Sequence, residues 1–516
     1  MSTAKINLWL LSHWNICAEK RFQTVYTETG EDMIFAFSKN YWVGIGACNG
    51  SFYSHFQAVR AIQSTSYATL GEIVDHFIQE PNKFRRIEMG KVYAAACTQP
   101  LLFTRSEENE NDFEGKVTIF YGFGKKQEEL EYKLSMYFDN NALEKEVNDT
   151  IAKLKKNSIL NLKNCQLPQK RAYLKSVSLY VLESLIDQTS GGIIAAPECD
   201  PDFQQSGGYG FVWPRDAAFC ALALMKCKEY PLAKKILLFL ANIQNHHSDY
   251  FQRYDTQGNK APSWCELQAD QLGLVICAMI EYLNFEKNNQ LLETIKKGIQ
   301  KLIHDFNDKG SLQNSFDLWE ETYGLHFYAH VTAYSALLRA VPLFPELSEH
   351  IQQSLKSCKN FCYHYLFVAK QKRFACSVDP HNNRDLQADI SLLACIYPFN
   401  EFPVEIDLKI SIFEFCYDKL TTKMGTLRYE NDHYMGGNSW ILAGFWMSLA
   451  ANELGKTEPN LNELAYEIFK KSLELCNSAG FFAEQVDSNS GKPVWIVPLG
   501  WSHAFYLLAN EVYQII

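Results

Sequence analysis

The sequence of 516 residues lacks any run of about 18 consecutive apolar residues, so it predicts no transmembrane helix. Its first segment, Met1–Cys17, also lacks the basic start and the small-residue cleavage site of a secretory signal. Positive charge is scarce as well, because 49 Lys and Arg face 59 Asp and Glu, for a net charge of −10. These absences argue against a surface for nucleic acid or anionic membranes. We expect a cytoplasmic protein with a neutral ligand, although secretion by a non-standard route stays open.

The 15 cysteines form no Cys-x-x-Cys pair, and their odd number does not suit a disulfide framework. Reduced, mostly buried thiols are the simpler interpretation. Metal-ligand clusters are equally scarce, because His246-His247 and the pair Cys358 and Cys362 are the only close groups. We therefore expect neither a bound metal nor a cofactor. A structural calcium ion in an acidic loop stays an open alternative.

Length and composition indicate a folded protein of more than one domain. Apolar residues make up 47% and charged residues 21% of the 516 positions, a globular composition on a chain too long for one usual core. Short β-like runs with turn signals between them occupy residues 1–125 and predict an antiparallel β-sandwich. Residues 126–167 are charged and helix-periodic, which predicts a helical linker. The predicted strands are Asn7–His13, Phe22–Thr27, Met33–Phe37, Tyr41–Gly46, Lys91–Cys97 and Lys116–Tyr121.

Residues 168–516 are helical in pattern, and the helices come in two kinds. Segments such as 291–306 and 461–469 carry one apolar stripe, which predicts helices with one solvent face. Other segments are apolar nearly all round and must be buried, namely Ala217–Met225, Leu272–Ile280, Val331–Leu343, Ile441–Ala451 and Ala504–Leu508. About twelve helices, six outer and six inner, alternate with a period of about 50–60 residues. The pattern predicts an all-α (α/α)6 barrel, with an open α-solenoid as the alternative.

Each predicted inner helix follows a short loop that is rich in aromatic and charged residues. If the inner helices run parallel, these loops meet at one end of the barrel and line a single funnel. The loops of a solenoid would instead be spread along a ridge. The loops are Tyr209–Asp216, Ser263–Asp270, Asp317–Glu321, Arg384–Asp389, Arg428–Asp432 with Gly436–Trp440, and Pro498–His503.

One of these loops reads Asp317-Leu318-Trp319-Glu320-Glu321 and predicts acid catalysis. An indole beside a carboxyl lowers the local dielectric, which raises the carboxyl pKa and keeps the acid protonated near neutral pH. Protonation of a leaving-group oxygen requires a carboxyl in that state. The simpler alternative is a helix start, with Asp317 as the N-cap and acids favoured by the helix dipole.

A second acid, Glu484, lies in an aromatic loop just before the last inner helix. Taken alone, it reads as a surface-loop carboxylate. Paired with Glu320 across a funnel, it would be the natural general base. A carboxylate separation of about 6.5–9.5 Å would give inversion at the anomeric carbon, and about 5–5.5 Å would give retention. The sequence leaves this separation open.

Six motifs occur in order along the second part of the chain. They are G-Y-G-x-V-W-P-R-D, S-W-x-E-L-Q-x-D, D-L-W-E-E-x-x-G-x-H-F, R-Y-E-x-D, G-x-N-S-W and P-L-G-W-S-H-A. Together they closely resemble the glucoamylase-type glycoside hydrolases of family 15, in the prokaryotic form with an N-terminal β-sandwich. The resemblance covers residues 168–516 strongly and the first 165 residues weakly.

The resemblance implies a role for each matching residue. Glu320 corresponds to the general acid and Glu484 to the general base, while Arg215 and Asp216 correspond to the pair that holds the terminal glucose. A blind pocket that reads this end of the substrate would enforce exo action. The other substrate-binding residues that it implies are the aromatic Tyr209, Trp213, Trp264, Trp319 and Trp501, the hydroxyl ligands Glu321 and Arg428, and the supporting groups Asp270 and Trp440.

The resemblance predicts a hydrolase that releases β-D-glucose with inversion from the non-reducing ends of α-1,4-glucans or maltooligosaccharides, as a monomer or a homodimer. Enzymes that cleave α-1,6 linkages or trehalose belong to the same family. The segment Tyr41–Ser51 departs from the opening of many bacterial members, which leaves the linkage open. Further alternatives are a transglycosylase and a non-catalytic glucan sensor, as in phosphorylase kinase subunits. The presence of both carboxylates weighs against the sensor.

Overall fold

The structure is a computed structural model that describes residues 166–197 and 207–513 in full, apart from the side chains of 307–309. Between residues 3 and 124 it describes the backbone of eleven strands, and between 126 and 132 a few residues. The chain divides into two compact units, Met1–Lys156 with Asp200–Gln205, and Asn157–Cys199 with Ser206–Ile516. Most of the predicted linker 126–167 lies outside the described residues, so the predicted domain boundaries stay predictions.

The first unit contains antiparallel strands, and each of the six predicted strands overlaps one of them. The sheets have the orders β1-β9-β10, β2-β8-β6 and β11-β5-β4-β3-β7. Packing of these sheets as a sandwich stays a prediction. The strands are β1 Thr3–Ile6, β2 Trp9–His13, β3 Thr24–Tyr26, β4 Met33–Ser38, β5 Tyr41–Cys48, β6 Phe52–Arg60, β7 Ile87–Met89, β8 Val92–Thr98, β9 Leu101–Arg105, β10 Phe113–Glu114 and β11 Thr118–Gly124.

The second unit is an (α/α)6 barrel in which outer and inner helices alternate along the chain. The outer helices are α1 Leu167–Leu185, α3 Tyr230–Ile243, α5 Asn289–Lys309, α7 Ser348–Phe361, α8 Ile406–Leu420 and α10 Asn460–Leu473. The inner elements are α2 Pro214–Lys226, α4 Asp270–Leu283, α6 Phe327–Ala340, a 3₁₀ helix Ile390–Cys395, α9 Ile441–Gly455 and α11 Gly500–Val512. No helix in the described part of the chain is both long and apolar enough to cross a membrane.

Contacts between inner elements decide between the barrel and the open solenoid. Each inner element packs against the next along the chain, and α11 packs back against α2. The ring is therefore closed, as a barrel requires. Burial agrees with the predicted division into inner and outer helices. The inner helix α9 is buried along nearly its whole length, whereas the outer helix α5 buries one stripe that includes Leu291, Ile295 and Ile299.

Two details differ from the sequence prediction, and proline explains both. The fourth inner element is only the short 3₁₀ helix Ile390–Cys395, whereas six inner helices are predicted. Pro398 follows it closely, and a proline disfavours helical backbone at the residue before it. The apolar run Val331–Leu343 likewise outlasts its helix, which ends at Ala340 just before Pro342.

Short strands and turns join the helices of the barrel. The strands are β12 Ser315–Phe316, β13 Tyr323–His326, β14 Phe367–Val368, β15 Arg373–Phe374, β16 Ser377–Val378, β17 Arg384–Asp385, β18 Thr421–Thr422, β19 Gly425–Thr426, β20 Ser439–Trp440, β21 Gln485–Val486 and β22 Pro493–Val494. They form the sheets β12-β13-β16-β17, β14-β15, β18-β19 and β20-β21-β22. Short helical turns occupy Pro345–Leu347, Cys362–Leu366, Ala369–Gln371 and Tyr434–Gly436. Several of these strands lie beside the predicted functional loops and fix their ends.

Replacement of Gly273 by alanine tests the close approach of α4 to α6. A Cβ atom at Gly273 would lie 2.6 Å from the backbone carbon of Thr332, and backbone cannot rotate away. We expect Gly273→Ala to lower the free energy of unfolding by about 1–3 kcal/mol, the usual cost of overpacking. Urea denaturation followed by circular dichroism measures the change.

Gly444→Ala in α9 is the matched control. Its Cβ would meet the Ser472 hydroxyl at 2.6 Å, and that side chain can turn away. The gain in helix propensity, about 1 kcal/mol, offsets the lost hydroxyl contact. Equal losses of stability in the two variants would contradict a backbone-limited contact between α4 and α6.

Candidate active site

All six predicted loops meet at one end of the barrel and are linked by side-chain contacts. The Tyr209 hydroxyl in the first loop donates to Glu484 before the last helix at 2.8 Å. The indole of Trp213 donates to Glu320 in the third loop at 2.6 Å. Further links join Arg215 to Asp270 and to Trp501 of the sixth loop, Trp319 to Asp389, and Arg428 to Glu321. The predicted funnel is therefore present.

The loop that carries Glu320 is a hairpin turn between β12 and β13, so the helix-start alternative is wrong. Asp317 accepts at its side chain from the backbone N–H groups of Glu321 at 2.8 Å and of Thr322 at 3.1 Å. The Glu320 backbone has a φ of 69°, a left-handed conformation that non-glycine residues rarely adopt. Such strain persists where the surrounding structure holds it in place, and it is common at functional sites.

Glu320 is an acid in a desolvated setting. Burial raises its pKa above the ordinary value, whereas the charge of Arg215 and the hydrogen bond from Trp213 oppose that rise. Trp213 can only donate a hydrogen bond, so its N–H defines the orientation of one carboxyl oxygen. The raised pKa is the direction expected from the Trp-Glu pattern.

Glu484 is more deeply buried than a surface-loop carboxylate would be, with 3% of its surface exposed. Its Oε1 accepts the hydrogen bond from Tyr209, whereas its Oε2 has no hydrogen-bond partner among the described residues. Burial raises its pKa to about 8, while the bond from Tyr209 and the charge of Arg428 act in the opposite direction. Burial thus raises the pKa of both acids, so the direction alone does not separate acid from base.

The first and last loops build a buried charged group beside these acids. Arg215 lies 3.3 Å from Asp216 and 3.7 Å from Asp270, and its guanidinium stacks over the Trp501 ring at 5.1 Å. Burial raises the pKa of each of the two aspartates to about 6, despite the opposing charge of Arg215. Beneath Trp501 lies Phe219 of the apolar core, with ring centroids 5.8 Å apart. This group therefore forms the closed floor of the funnel.

A second charged group surrounds Arg428, which is 3% exposed. Its guanidinium binds Asp432 at 2.6 Å and Glu321 at 2.7 Å, and it stacks over the Trp440 ring at 4.7 Å. The Tyr429 hydroxyl also donates to Glu321. Arg428 thereby positions Glu321, which is more exposed, on the solvent side of Glu320.

Two predicted tryptophans have different positions. Trp319 is buried and donates to Asp389 at 2.8 Å, and burial raises the pKa of Asp389 to about 7. Trp264 is 50% exposed and stacks against Arg253 at 4.6 Å. Trp319 therefore belongs to the wall of the funnel, and Trp264 lies at its rim.

Buried polar atoms without partners mark where a ligand would bind. In the described part of the chain, twelve buried side-chain atoms have no hydrogen-bond partner, and seven of them belong to predicted site residues. A buried polar atom without a partner costs about 1–3 kcal/mol, so such atoms rarely collect without a function. The seven are Arg215 Nε and Nη1, Asp216 Oδ1, Asp270 Oδ2, Trp440 Nε1, Trp501 Nε1 and Glu484 Oε2. The Arg215 and aspartate atoms among them face one another as ion pairs at 3.3 and 3.7 Å without a hydrogen bond.

The lining can donate, accept and stack, which are the interactions that a polyhydroxylated ring requires. Arginine and indole groups supply donors, carboxylates supply acceptors, and the aromatic faces supply apolar contact. In the described residues, no group of three or more His, Cys, Asp or Glu side chains is arranged to hold a metal ion.

Comparison with known proteins agrees with this geometry. The sequence profile of glycosyl hydrolases family 15 matches residues 168–511. The chain belongs to this family. The matched range coincides with the barrel.

Individual relatives are distant from this family 15 chain. An uncharacterised glycosyl hydrolase of Methanocaldococcus jannaschii is 29% identical over 345 residues, 64% of this chain and 54% of that protein. Trehalase 2 of Sulfolobus acidocaldarius is 27% identical over 200 residues, 33% of this chain and 34% of that protein. The matches thus span at most about half the length of these relatives. The solved structure of a bacterial glucoamylase with acarbose has a TM-score of 0.73 at 16% identity, over 98% of this chain and 76% of that one.

The sequence prediction missed several side chains of this family 15 site. Tyr434 and Trp495 both contact Tyr209, and Arg253 stacks against Trp213 and Trp264. Asp389 ends the predicted loop Arg384–Asp389 and binds Trp319, and Asp432 ends the motif R-Y-E-x-D and binds Arg428. Only the two aspartates carried a sequence signal, because Tyr434, Trp495 and Arg253 lie between recognisable motifs.

The glutamine variant of Glu484 should be more stable than the parent, and more so at high pH. The native pKa of about 8 exceeds the ordinary value of 4.5, so between these values the native state holds a proton that the unfolded state has lost. The stability linked to that proton is complete below pH 4.5 and is lost as pH rises through 8, with a limiting slope of about 1.4 kcal/mol per pH unit. Glu484→Gln removes this dependence. Calorimetry should show a gain in Tm that grows from pH 5 to pH 8.

The exposed Glu458 supplies the control, because Glu458→Gln changes the same functional group without burial. Its Tm should follow that of the parent at every pH. A Glu484→Gln variant whose Tm difference is constant with pH would contradict the proposed cost of ionising Glu484.

Proposed function

We propose that this family 15 hydrolase is an exo-acting, inverting α-glucosidase that releases β-D-glucose from the non-reducing ends of α-glucans or maltooligosaccharides. The observation that carries the proposal is the set of buried atoms on Arg215, Asp216, Trp440 and Glu484 that have no hydrogen-bond partner among the described residues, gathered in the same funnel as Glu320. Sugar hydroxyls and one water molecule would satisfy them. A cytoplasmic location and a monomeric or homodimeric state stay predictions.

In the proposed reaction the two acids act on opposite faces of the terminal sugar. Glu320 in its protonated form gives its proton to the glycosidic oxygen as the bond to the anomeric carbon breaks. Glu484 in its ionised form takes a proton from a water molecule, whose oxygen attacks the anomeric carbon. Proton exchange with solvent then restores both acids. The free Oε2 of Glu484 supports its role as the base, because that oxygen is available to a water molecule.

Exo action is supported by the closed floor of the funnel. Arg215 and Asp216 are buried, and Trp501 and Phe219 seal the space beneath them. A glucan chain would therefore enter with its non-reducing end and extend outward past the more exposed Glu321 and Trp264. Arg215, Asp216 and their neighbours would hold the terminal glucose, with Trp213, Trp319 and Tyr209 orienting the acids and shaping the wall.

Trehalose is the second candidate substrate. The similarity to Trehalase 2 covers 200 residues of this chain and favours it over other disaccharides. Cleavage of trehalose uses the same pair of acids and the same terminal-glucose pocket, so the difference would lie in the groups around the leaving sugar, among them Glu321, Arg428 and Trp264.

Proton NMR of the purified protein with maltotriose, isomaltotriose and trehalose in parallel tests the proposal. We expect β-glucose to appear first from maltotriose, because inversion of an α-linkage gives the β-anomer. Glucose from isomaltotriose or trehalose alone would assign a different linkage to the same chemistry. The α-anomer as first product would contradict inversion. No glucose from any substrate, with oligosaccharide binding retained in calorimetry, would replace the hydrolase by a glucan sensor.

Replacement of Glu320 by glutamine should abolish turnover while oligosaccharide affinity stays near that of the parent. Loss of a general acid lowers kcat by about 10²–10⁴-fold or more, since the leaving oxygen would depart without a proton. Single-turnover kinetics and calorimetry measure the two effects. The neighbouring Glu321→Gln is the contrast, because its loss should weaken binding more than chemistry. Retained hydrolysis in Glu320→Gln would remove Glu320 from the acid role.

A further inference from the structure

The hydroxyl of Tyr209 is the centre of a three-bond group beside Glu484. It lies 2.8 Å from Glu484 Oε1, 2.8 Å from the Tyr434 hydroxyl and 3.3 Å from the indole Nε1 of Trp495. A phenol has one proton to donate and two lone pairs to accept with. The indole can only donate. The positions of the protons therefore determine the direction of each bond to the Tyr209 hydroxyl.

When Glu484 is ionised, only one arrangement of protons satisfies all three bonds. The carboxylate can only accept, so the Tyr209 proton points at Oε1. Tyr434 and Trp495 must then both donate to the Tyr209 oxygen. A proton on Oε1 would instead reverse the bond between Oε1 and Tyr209, and the Tyr209 proton would then point at the Tyr434 hydroxyl. When Trp495 and Tyr434 both donate to Tyr209, Oε1 therefore accepts the Tyr209 proton, and Oε2 is the oxygen that can exchange a proton.

Trp495 is held in this position by backbone that a non-glycine residue rarely adopts. Its φ is 61°, in the left-handed region, which costs an ordinary side chain about 1–2 kcal/mol. The carbonyl of the next residue, Ile496, accepts a bond from the Glu484 N–H at 2.9 Å. The same loop thus binds the backbone of Glu484 through Ile496 and carries the Trp495 indole. That indole binds Tyr209, which in turn donates to the Glu484 side chain. A strained residue at that point indicates a requirement for its side chain.

We propose that Trp495 and Tyr434 are positioning residues that orient the Tyr209 hydroxyl toward Glu484 and keep Glu484 in its ionised, water-activating form. This inference rests on the proposed role of Glu484 as the general base. Two donors on the phenol oxygen polarise its O–H bond, which strengthens the hydrogen bond to the carboxylate. Trp495 would thereby lower the pH at which the enzyme becomes active, without touching the substrate.

Other charged and titratable groups also shift the pKa of Glu484. The proposal concerns only the additional effect of the Trp495 indole. Arg428 lowers the pKa of Glu484, whereas the neighbouring aspartates raise it. These groups stay in place when the indole is removed. The groups that face Glu484 are Tyr209, Tyr434, Arg428, Asp432 and Asp216.

Trp495→Phe is the test, because it removes the N–H and keeps an aromatic ring against Tyr209. We expect the acidic limb of kcat/KM to move to higher pH by about 0.5 unit, which is about a threefold loss on that limb. KM should change little, and the rate above the limb should stay near that of the parent. Tyr434→Phe should shift the limb in the same direction.

Trp446→Phe is the matched control. Its indole N–H binds the carbonyl of Tyr397 at 2.7 Å within the buried core. The variant should lose thermal stability and keep the acidic limb of the parent. An unshifted limb in Trp495→Phe, with Glu484→Gln inactive, would overturn the positioning role and leave the proposed function intact. Full hydrolysis by Glu484→Gln would instead overturn the role of Glu484 as base.

Thermal unfolding supplies a readout that needs no activity. If Trp495 stabilises ionised Glu484, Trp495→Phe should cost more stability at pH 9 than at pH 5, because Glu484 with a pKa of about 8 ionises between them. The same substitution in a Glu484→Gln background should have a cost that is independent of pH. An equal pH dependence in both backgrounds would contradict the proposal.

Discussion

The packing of α11 against α2 closes the inner ring, and the candidate active site depends on that closure. Tyr209 precedes the first inner helix and Glu484 precedes the last, yet 2.8 Å separates their bonded oxygens. An open solenoid would place these residues at opposite ends of the chain. Closure also gives the funnel a floor, because helices that are apolar all round fill the interior beneath Trp501. Apolar burial in the barrel thus creates the low-dielectric setting in which the acids lie.

Burial of polar groups in this low-dielectric setting costs free energy, and the residues of the candidate site are where this cost arises. Burial raises the pKa of Asp216, Asp270, Asp389 and Glu484, and several polar atoms of these residues have no hydrogen-bond partner among the described residues. Each such group would be more stable in water or in contact with a ligand. The rest of the barrel, with its continuous apolar core, offsets this cost. The site is therefore preorganised for polar contacts that the protein alone does not make.

The sequence predicted the barrel and most of the site because both leave periodic or local signals. Helices apolar on every side identified the inner ring, and the loop Asp317–Glu321 identified one acid before any fold was known. Features that depend on tertiary contacts were harder to predict from the sequence. Glu484 was proposed as the second acid from its aromatic loop, whereas its burial and its partner Tyr209 needed the structure. Trp495 and Tyr434 carry no motif, since their importance arises only from the position of one phenol oxygen. The shortened fourth inner helix was missed because apolar composition outweighed Pro398.

A common device holds the acids of this site. Trp213 donates its indole N–H to Glu320, Trp319 donates to Asp389, and Trp495 donates to the Tyr209 hydroxyl that binds Glu484. An indole donates one hydrogen bond, accepts none and does not titrate, so it fixes an oxygen without adding a charge. A lysine or arginine in its place would lower the pKa of the acid far more strongly. Indole donors therefore orient buried carboxyl groups and leave them able to exchange protons, as acid and base catalysis requires.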